Sequence, residues 1–123
     1  MKLLTHNMLK SHVKGVKDGY PLRLSASKVE LKEVTFNADF VVRMLDRIVW
    51  PVLRQTAIEI GQGDNLPTDI PADAATNEEF LRAMHHVLLE VLVLEGELEC
   101  PETGRKFPIK KGIPNMLLDE DEV

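Results

Sequence analysis

Residues 97–118 read ELECPETGRKFPIKKGIPNMLL, and the reading of this stretch decides the fold. Leu98 and Cys100 alternate with glutamates, as on a strand with one buried face. The segment PETG then has turn chemistry, RKFPI is a second short extended run, KKG turns again, and IPNML runs extended. Short strands joined by tight turns predict an antiparallel ribbon. Strand signals recur near the start of the chain. KLLTHNML is a short, partly apolar run, KGVKDGYP carries breakers at Gly15, Gly19 and Pro21, and YPLRLSASKVELKEVTF alternates at Leu22/Leu24 and again at Val29/Leu31.

Between these ends the period changes. Asn37 is placed to cap a helix with Asp39 in its first turn, and Phe40, Met44, Leu45 and Ile48 fall on one face at helical spacing. Pro51 fits the first position of a second helix, which Gly61 and Gly63 end. A polar loop, QGDNLPTDIPADAA, follows. Thr76 and Glu79 have the spacing of a capping box, ahead of a third helix with Phe80, Met84, Val87, Leu88 and Val91 on one side. The expected fold is α+β, with an antiparallel sheet built from both chain termini and an inserted lobe of about three helices. The expected division is a discontinuous β domain, residues 1–35 plus 94–123, and a helical domain, residues 36–93.

The chain has 123 residues and a formal net charge of −5. That charge argues against a protein that wraps nucleic acid by itself. Its distribution is uneven. Residues 1–35 carry seven Lys/Arg against three Asp/Glu, whereas residues 36–93 carry four against nine. No apolar run approaches the roughly 18 to 20 residues that span a bilayer. A single cysteine excludes an internal disulfide framework, so a cytoplasmic or nuclear location is expected.

The turn CPETG has the outline of a zinc-ribbon knuckle, but Thr103 stands where a second cysteine belongs. A structural zinc needs four ligands, usually Cys or His. Cys100 and His12 supply two at most, and adjacent His85 and His86 diverge on a helix. A buried thiol with no metal is the expected state. Ser11, Ser25 and Ser27 lack an activating context, no phosphate-binding loop is present, and no catalytic residue is assigned. His85 is expected to be packed and hydrogen-bonded. The basic residues Arg105, Lys106, Lys110 and Lys111 read as a solvated face, and the tail DEDEV as a solubilising end. The chain ends are more informative. Leu3, Leu4, Met8 and Leu9 from one end, with Ile113, Met116, Leu117 and Leu118 from the other, exceed what a small sheet readily buries. Apolar side chains beside an available strand edge mark a protein interface.

The segments MKLLTHNML, FNADFVVRMLDRIVWPVL, FLRAMHHVLLEV and EGELECPETGRKFPIKKGIPNMLL resemble the small activating subunit shared by several eukaryotic methyltransferases. The likeness covers nearly the whole chain outside residues 61–75. It implies a zinc-ribbon-like sheet from the two ends and a helical lobe between. It also implies a non-catalytic subunit that binds methyltransferases acting on tRNA, ribosomal RNA or the glutamine of translation release factors. The partner would hold S-adenosylmethionine, this chain would hold no cofactor, RNA would be met only through the partner, and no membrane is involved. Some members carry zinc on four cysteines at positions matching Ser11, Val16, Cys100 and Thr103, of which one remains. The expected partner-binding residues are Leu3, Leu4, Met8, Ile113, Pro114, Asn115 and Met116, pairing by strand addition. The alternative from another class is an independent RNA-binding ribbon.

Overall fold

In the computed structural model, which describes residues 1–123, the chain begins with helix α1 (Leu3–Met8) and strand β1 (Arg23–Leu31). Helices α2 (Ala38–Met44), α3 (Trp50–Glu59) and α4 (Glu78–His85) follow. Strands β2 (Val91–Glu99), β3 (Lys106–Lys110) and β4 (Ile113–Pro114) complete it. The four strands form one antiparallel sheet in the order β1-β2-β3-β4. The fold is therefore α+β, with its sheet made from the two ends of the sequence.

One face of the sheet is buried. Leu24, Val93, Leu98, Phe107 and Ile109 meet Leu3, Leu53, Met84 and Leu88 in a single apolar core. The other face is open and polar, with Lys106 Nζ 3.7 Å from Glu97 on the neighbouring strand. The inward residues of β2 change parity between Val93 and Leu98. The register against β1 slips between Ala26 and Val29, and this bulge lets both halves of β2 reach the same core. Gly96 lies at the slip, where a Cβ would come 2.3 Å from the Ser25 carbonyl oxygen.

The amphipathic segments behave as their periodicity requires, with corrections at their ends. Asn37 Oδ1 caps α2 by accepting from the Phe40 amide at 3.1 Å. That helix stops at Met44, so Ile48 lies beyond it, and Val41 is its fully buried residue. Pro51 sits in the first turn of α3. The cap of α4 is Asn77 rather than Thr76: Asn77 Oδ1 accepts from Phe80 N at 3.1 Å, while the Thr76 hydroxyl donates back to Asp73 O. Phe80, Met84, Val87, Leu88 and Val91 are all buried as the stripe demands. After His85, however, the helix widens into a π-helical stretch, His86–Glu90, and Val91 already belongs to β2.

The two histidines reach different oxygens of one carboxylate and do not form a close ligand group. His86 Nδ1 donates to Glu90 Oε1 at 2.9 Å and His85 Nε2 lies 3.8 Å from Glu90 Oε2. Both rings therefore approach one carboxylate. Glu90 Oε2 also accepts from Val34 N at 2.8 Å, and His85 Nε2 donates to Val34 O at 2.9 Å. The two connections between sheet and helices are thus tied together. Partial burial pushes the Glu90 carboxyl up, but the Val34 amide, His86 and His85 outweigh it and hold it below its ordinary range.

The start of the chain is a helix, not a strand. KLLTHNML has too few residues for its period to be decisive, and tertiary bonds settle it. Asn7 exchanges two hydrogen bonds with the Val49 backbone, at 2.9 and 3.0 Å, and His6 Nε2 donates to Leu22 O at 2.7 Å. Ahead of the helix, Met1 runs along β2: its carbonyl accepts from Val93 N, and its amino group donates to Val93 O and Gly112 O, each at 2.7 Å.

Candidate docking edge

β3 and β4 are joined by Lys111 and Gly112, both in the left-handed region (φ 52° and 78°). Two successive positive φ values make the turn whose twist matches a two-residue hairpin. Lys110 thus pairs with Ile113 and Ile109 with Pro114, and the pairing continues as Asn115 N donates to Pro108 O at 2.9 Å. Because hydrogen-bonding direction alternates along an antiparallel strand, Ile113 and Asn115 turn their backbone groups inward, and Pro114 and Met116 turn theirs outward. Pro114 has no amide proton. The open edge therefore presents the Pro114 carbonyl, then the Met116 amide and carbonyl. Leu117 N, next in the inward series, donates to Asn115 Oδ1 at 3.1 Å rather than to β3.

Side chains alternate too. Ile113 is 69 % exposed and Leu117 79 %, with Asn115 between them on the same side. Pro114, Met116 and Leu118 are half-buried, the last two packed against the core. Pro108, Lys110 and residues 113–117 line a shallow groove of about 530 Å³. Four of the expected partner-binding residues, Ile113, Pro114, Asn115 and Met116, are thus brought together at one edge.

Leu3, Leu4 and Met8 do not line this groove. They lie on α1, so they offer no strand for pairing. Leu3 is 0 % exposed and belongs to the core, which corrects its assignment to an open surface. Leu4 is half-buried, and Met8, half-exposed, lies on the far turn of α1. Leu117, part of the apolar terminal set though not among the expected partner-binding residues, shares the exposed side of Ile113 and Asn115.

The acidic tail is also not a free end. Residues Glu120–Glu122 form a single helical turn, in which Asp119 N donates to Glu122 Oε1 at 2.9 Å. Glu122 O accepts from Lys14 N at 2.7 Å, and its carboxylate receives the Arg105 guanidinium. Asp119, Asp121 and Glu122 are the one group of three metal-ligating side chains that lies close together. Glu122 is already committed to Arg105, which holds its carboxyl below the ordinary range.

At the knuckle, Cys100 is buried and free. Burial pushes its thiol up, and hydrogen bonds from the Ser11 and Thr103 side chains and from the Thr103 and Glu102 amides outweigh it, leaving the thiol below its usual range. Val16, at another of the four positions, is apolar. One sulfur, two hydroxyls and a hydrocarbon do not make a tetrahedral zinc site. The donor set does not fit the metal, and the thiol is simply buried.

Residues 2–112 match the family described as Trm112p-like protein. The multifunctional methyltransferase subunit TRM112-like protein of Bos taurus is 54 % identical over 123 residues, covering 99 % of this chain and 98 % of that one. Homolog A of the same subunit in Arabidopsis thaliana is 53 % identical over the whole of both chains. The Saccharomyces cerevisiae subunit is 35 % identical over 96 % of each. Among solved structures, a chain of the E. cuniculi Mtq2–Trm112 complex, responsible for methylation of the eRF1 translation termination factor, superposes with a TM-score of 0.56. It is 22 % identical over 95 % of each chain, a likeness of fold.

Proposed function

The chain belongs to the Trm112p-like family, and from that premise we propose that it is a non-catalytic subunit that binds, stabilises and activates S-adenosylmethionine-dependent methyltransferases. Their substrates would be tRNA, ribosomal RNA and the glutamine of translation release factors. The reading is carried by one observation: an open strand edge, Pro114–Met116, flanked by exposed Ile113 and Leu117 on a protein whose remaining large apolar residues mostly pack inward. An enzyme with an unpaired strand and an apolar margin gains from such an edge in two ways. Backbone pairing satisfies its polar groups, and the apolar side chains remove its margin from water. An interface on the order of 1,600 Å² would then stabilise the folded enzyme by mass action.

In this assignment the discontinuous β domain, residues 1–35 plus 94–123, makes the contact, through Ile113, Pro114, Asn115 and Met116 together with Leu117. Leu4 and Met8 of α1 are assigned a margin of it. The helical domain, placed at residues 36–93, supports the sheet from behind, with its last three residues, Val91–Val93, already in β2. S-adenosylmethionine is held by the partner subunit in a heterodimer, RNA is met through that partner, and the complexes work in cytoplasm and nucleus. No helix of the chain is long and apolar enough to cross a membrane.

Co-expression with the methyltransferase catalytic subunits of the same genome tests the reading. The unmodified chain is expected to keep at least one of them soluble and to co-purify with it. The pair Ile113→Asp and Leu117→Asp should reduce that capture by about 100-fold, as loss of central apolar contacts does. Both positions are exposed, so the isolated variant should keep its thermal midpoint. Undiminished capture by the double variant would place the interface elsewhere.

A further inference from the structure

Resting on the docking reading above, we infer that the acidic C-terminal turn is a clasp and that Arg105 is its positioning residue, holding Leu117 and the strand end in their docking shape before a partner arrives. Arg105 opens the short run into β3, immediately after the knuckle. Its guanidinium grips Glu122 with two parallel bonds, Nε to Oε2 at 2.6 Å and Nη2 to Oε1 at 3.2 Å. Nη2 also reaches Leu117 O at 3.4 Å, Nη1 donates to Lys106 O, and the group lies over the Phe107 ring at 4.8 Å. Fork-like bonding of this kind fixes direction as well as distance, which a lysine in the same place would not do.

The consequence falls on Leu117. It is the most exposed large apolar residue of the chain, yet its backbone is held on both sides: its amide donates to Asn115 Oδ1 and its carbonyl accepts from Arg105. Upstream, Asn115 is tied to β3 through Pro108 O. Downstream, Glu122 is tied to Arg105 and, through its carbonyl, to Lys14. An exposed apolar side chain on an anchored backbone contributes little to folding. It lowers the ordering cost of binding, because the segment is already in place. A tail that served solubility alone would need no bidentate arginine.

The test uses the full chain and the catalytic subunit that co-purifies with it. Arg105→Gln, Glu122→Gln and the double variant are each titrated against that subunit, and amide exchange of residues 115–122 is followed in the free chain. Each single variant is expected to free the amides of 117–122 and to weaken binding roughly tenfold, mainly through slower association, since the docking-competent fraction falls. The double variant should be no weaker than either single one, because both remove the same clasp. The thermal midpoint of the isolated chain should barely move. Unchanged affinity in all three variants, additive losses in the double, or unaltered exchange at 117–122 would each overturn the clasp. Failure of the unmodified chain to capture any methyltransferase would instead strike the docking reading on which it rests.

Discussion

The sheet has two outer strands, and they are built to opposite ends. β1 is nine residues long, bulged between Ala26 and Val29, and carries exposed Ser27, Lys28 and Glu30 ahead of a single exposed apolar residue, Leu31, at its end. Length invites further pairing, while the bulge and the charges discourage it. β4 is two residues long, yet it carries exposed Ile113 and continues into exposed Leu117. A long edge is guarded here and a short one is left open. What makes an edge available is therefore its margin of side chains, not its length.

The largest way to break this contrast is to detach the guarded strand. A Cβ at Gly96 would clash with Ser25 O and touch Ala26 Cα, backbone atoms that cannot swing aside. Gly96→Ala should cost about 3 kcal/mol in denaturant unfolding, and Ala26–Val29 should lose amide protection before residues of β3. A second, smaller break acts at the far end of β1. Glu90→Gln removes the charge that accepts from Val34 N and His86 and is expected to cost about 2 kcal/mol, again with protection lost first around Lys32–Val34.

Acid separates the edges further. Burial holds the His6 imidazole below its ordinary 6.5, the Leu22 carbonyl bond only partly offsetting it. The unfolded chain therefore binds the proton more readily, and stability present above pH 6.5 is lost as pH falls through the lower folded value. Glu90 has a depressed carboxyl, so its contribution is present above 4.5 and is lost as pH falls through its own folded value. A pH titration of stability should show the first decline in the unmodified chain and not in His6→Gln. The mildest experiment sharpens the contrast instead: Lys28→Asp should change stability by no more than about 0.5 kcal/mol and leave methyltransferase capture unaltered. A strong loss of capture there would make β1 the docking edge.

Much of this was legible in the residues. The alternation of Leu98 and Cys100, the short run RKFPI, the turn residues between them and the stripe from Phe80 to Leu88 sufficed for a sheet of both termini with helices inserted. What escaped had a local rival or a distant cause. Thr76 and Asn77 are both good caps, and only the Asp73 carbonyl, which draws the Thr76 hydroxyl away, decides between them. LTHNML reads as a strand until the Val49 backbone and Leu22 O supply partners for Asn7 and His6. The π-helical widening has no periodic signature, so the meeting of His85 and His86 at Glu90 was invisible. The tail looked like any run of surface charge, because the guanidinium that orders it lies 17 residues away.

Pro114 has one more consequence. Its outward-facing nitrogen carries no proton, so any strand laid along this edge meets one missing donor. A different protein meets that gap once and can turn a side chain or a bend toward it. A second copy of this chain, related by a two-fold axis, would meet it twice, once from each side. The same residue that shortens the offer to a partner thereby makes the chain a poor match for itself.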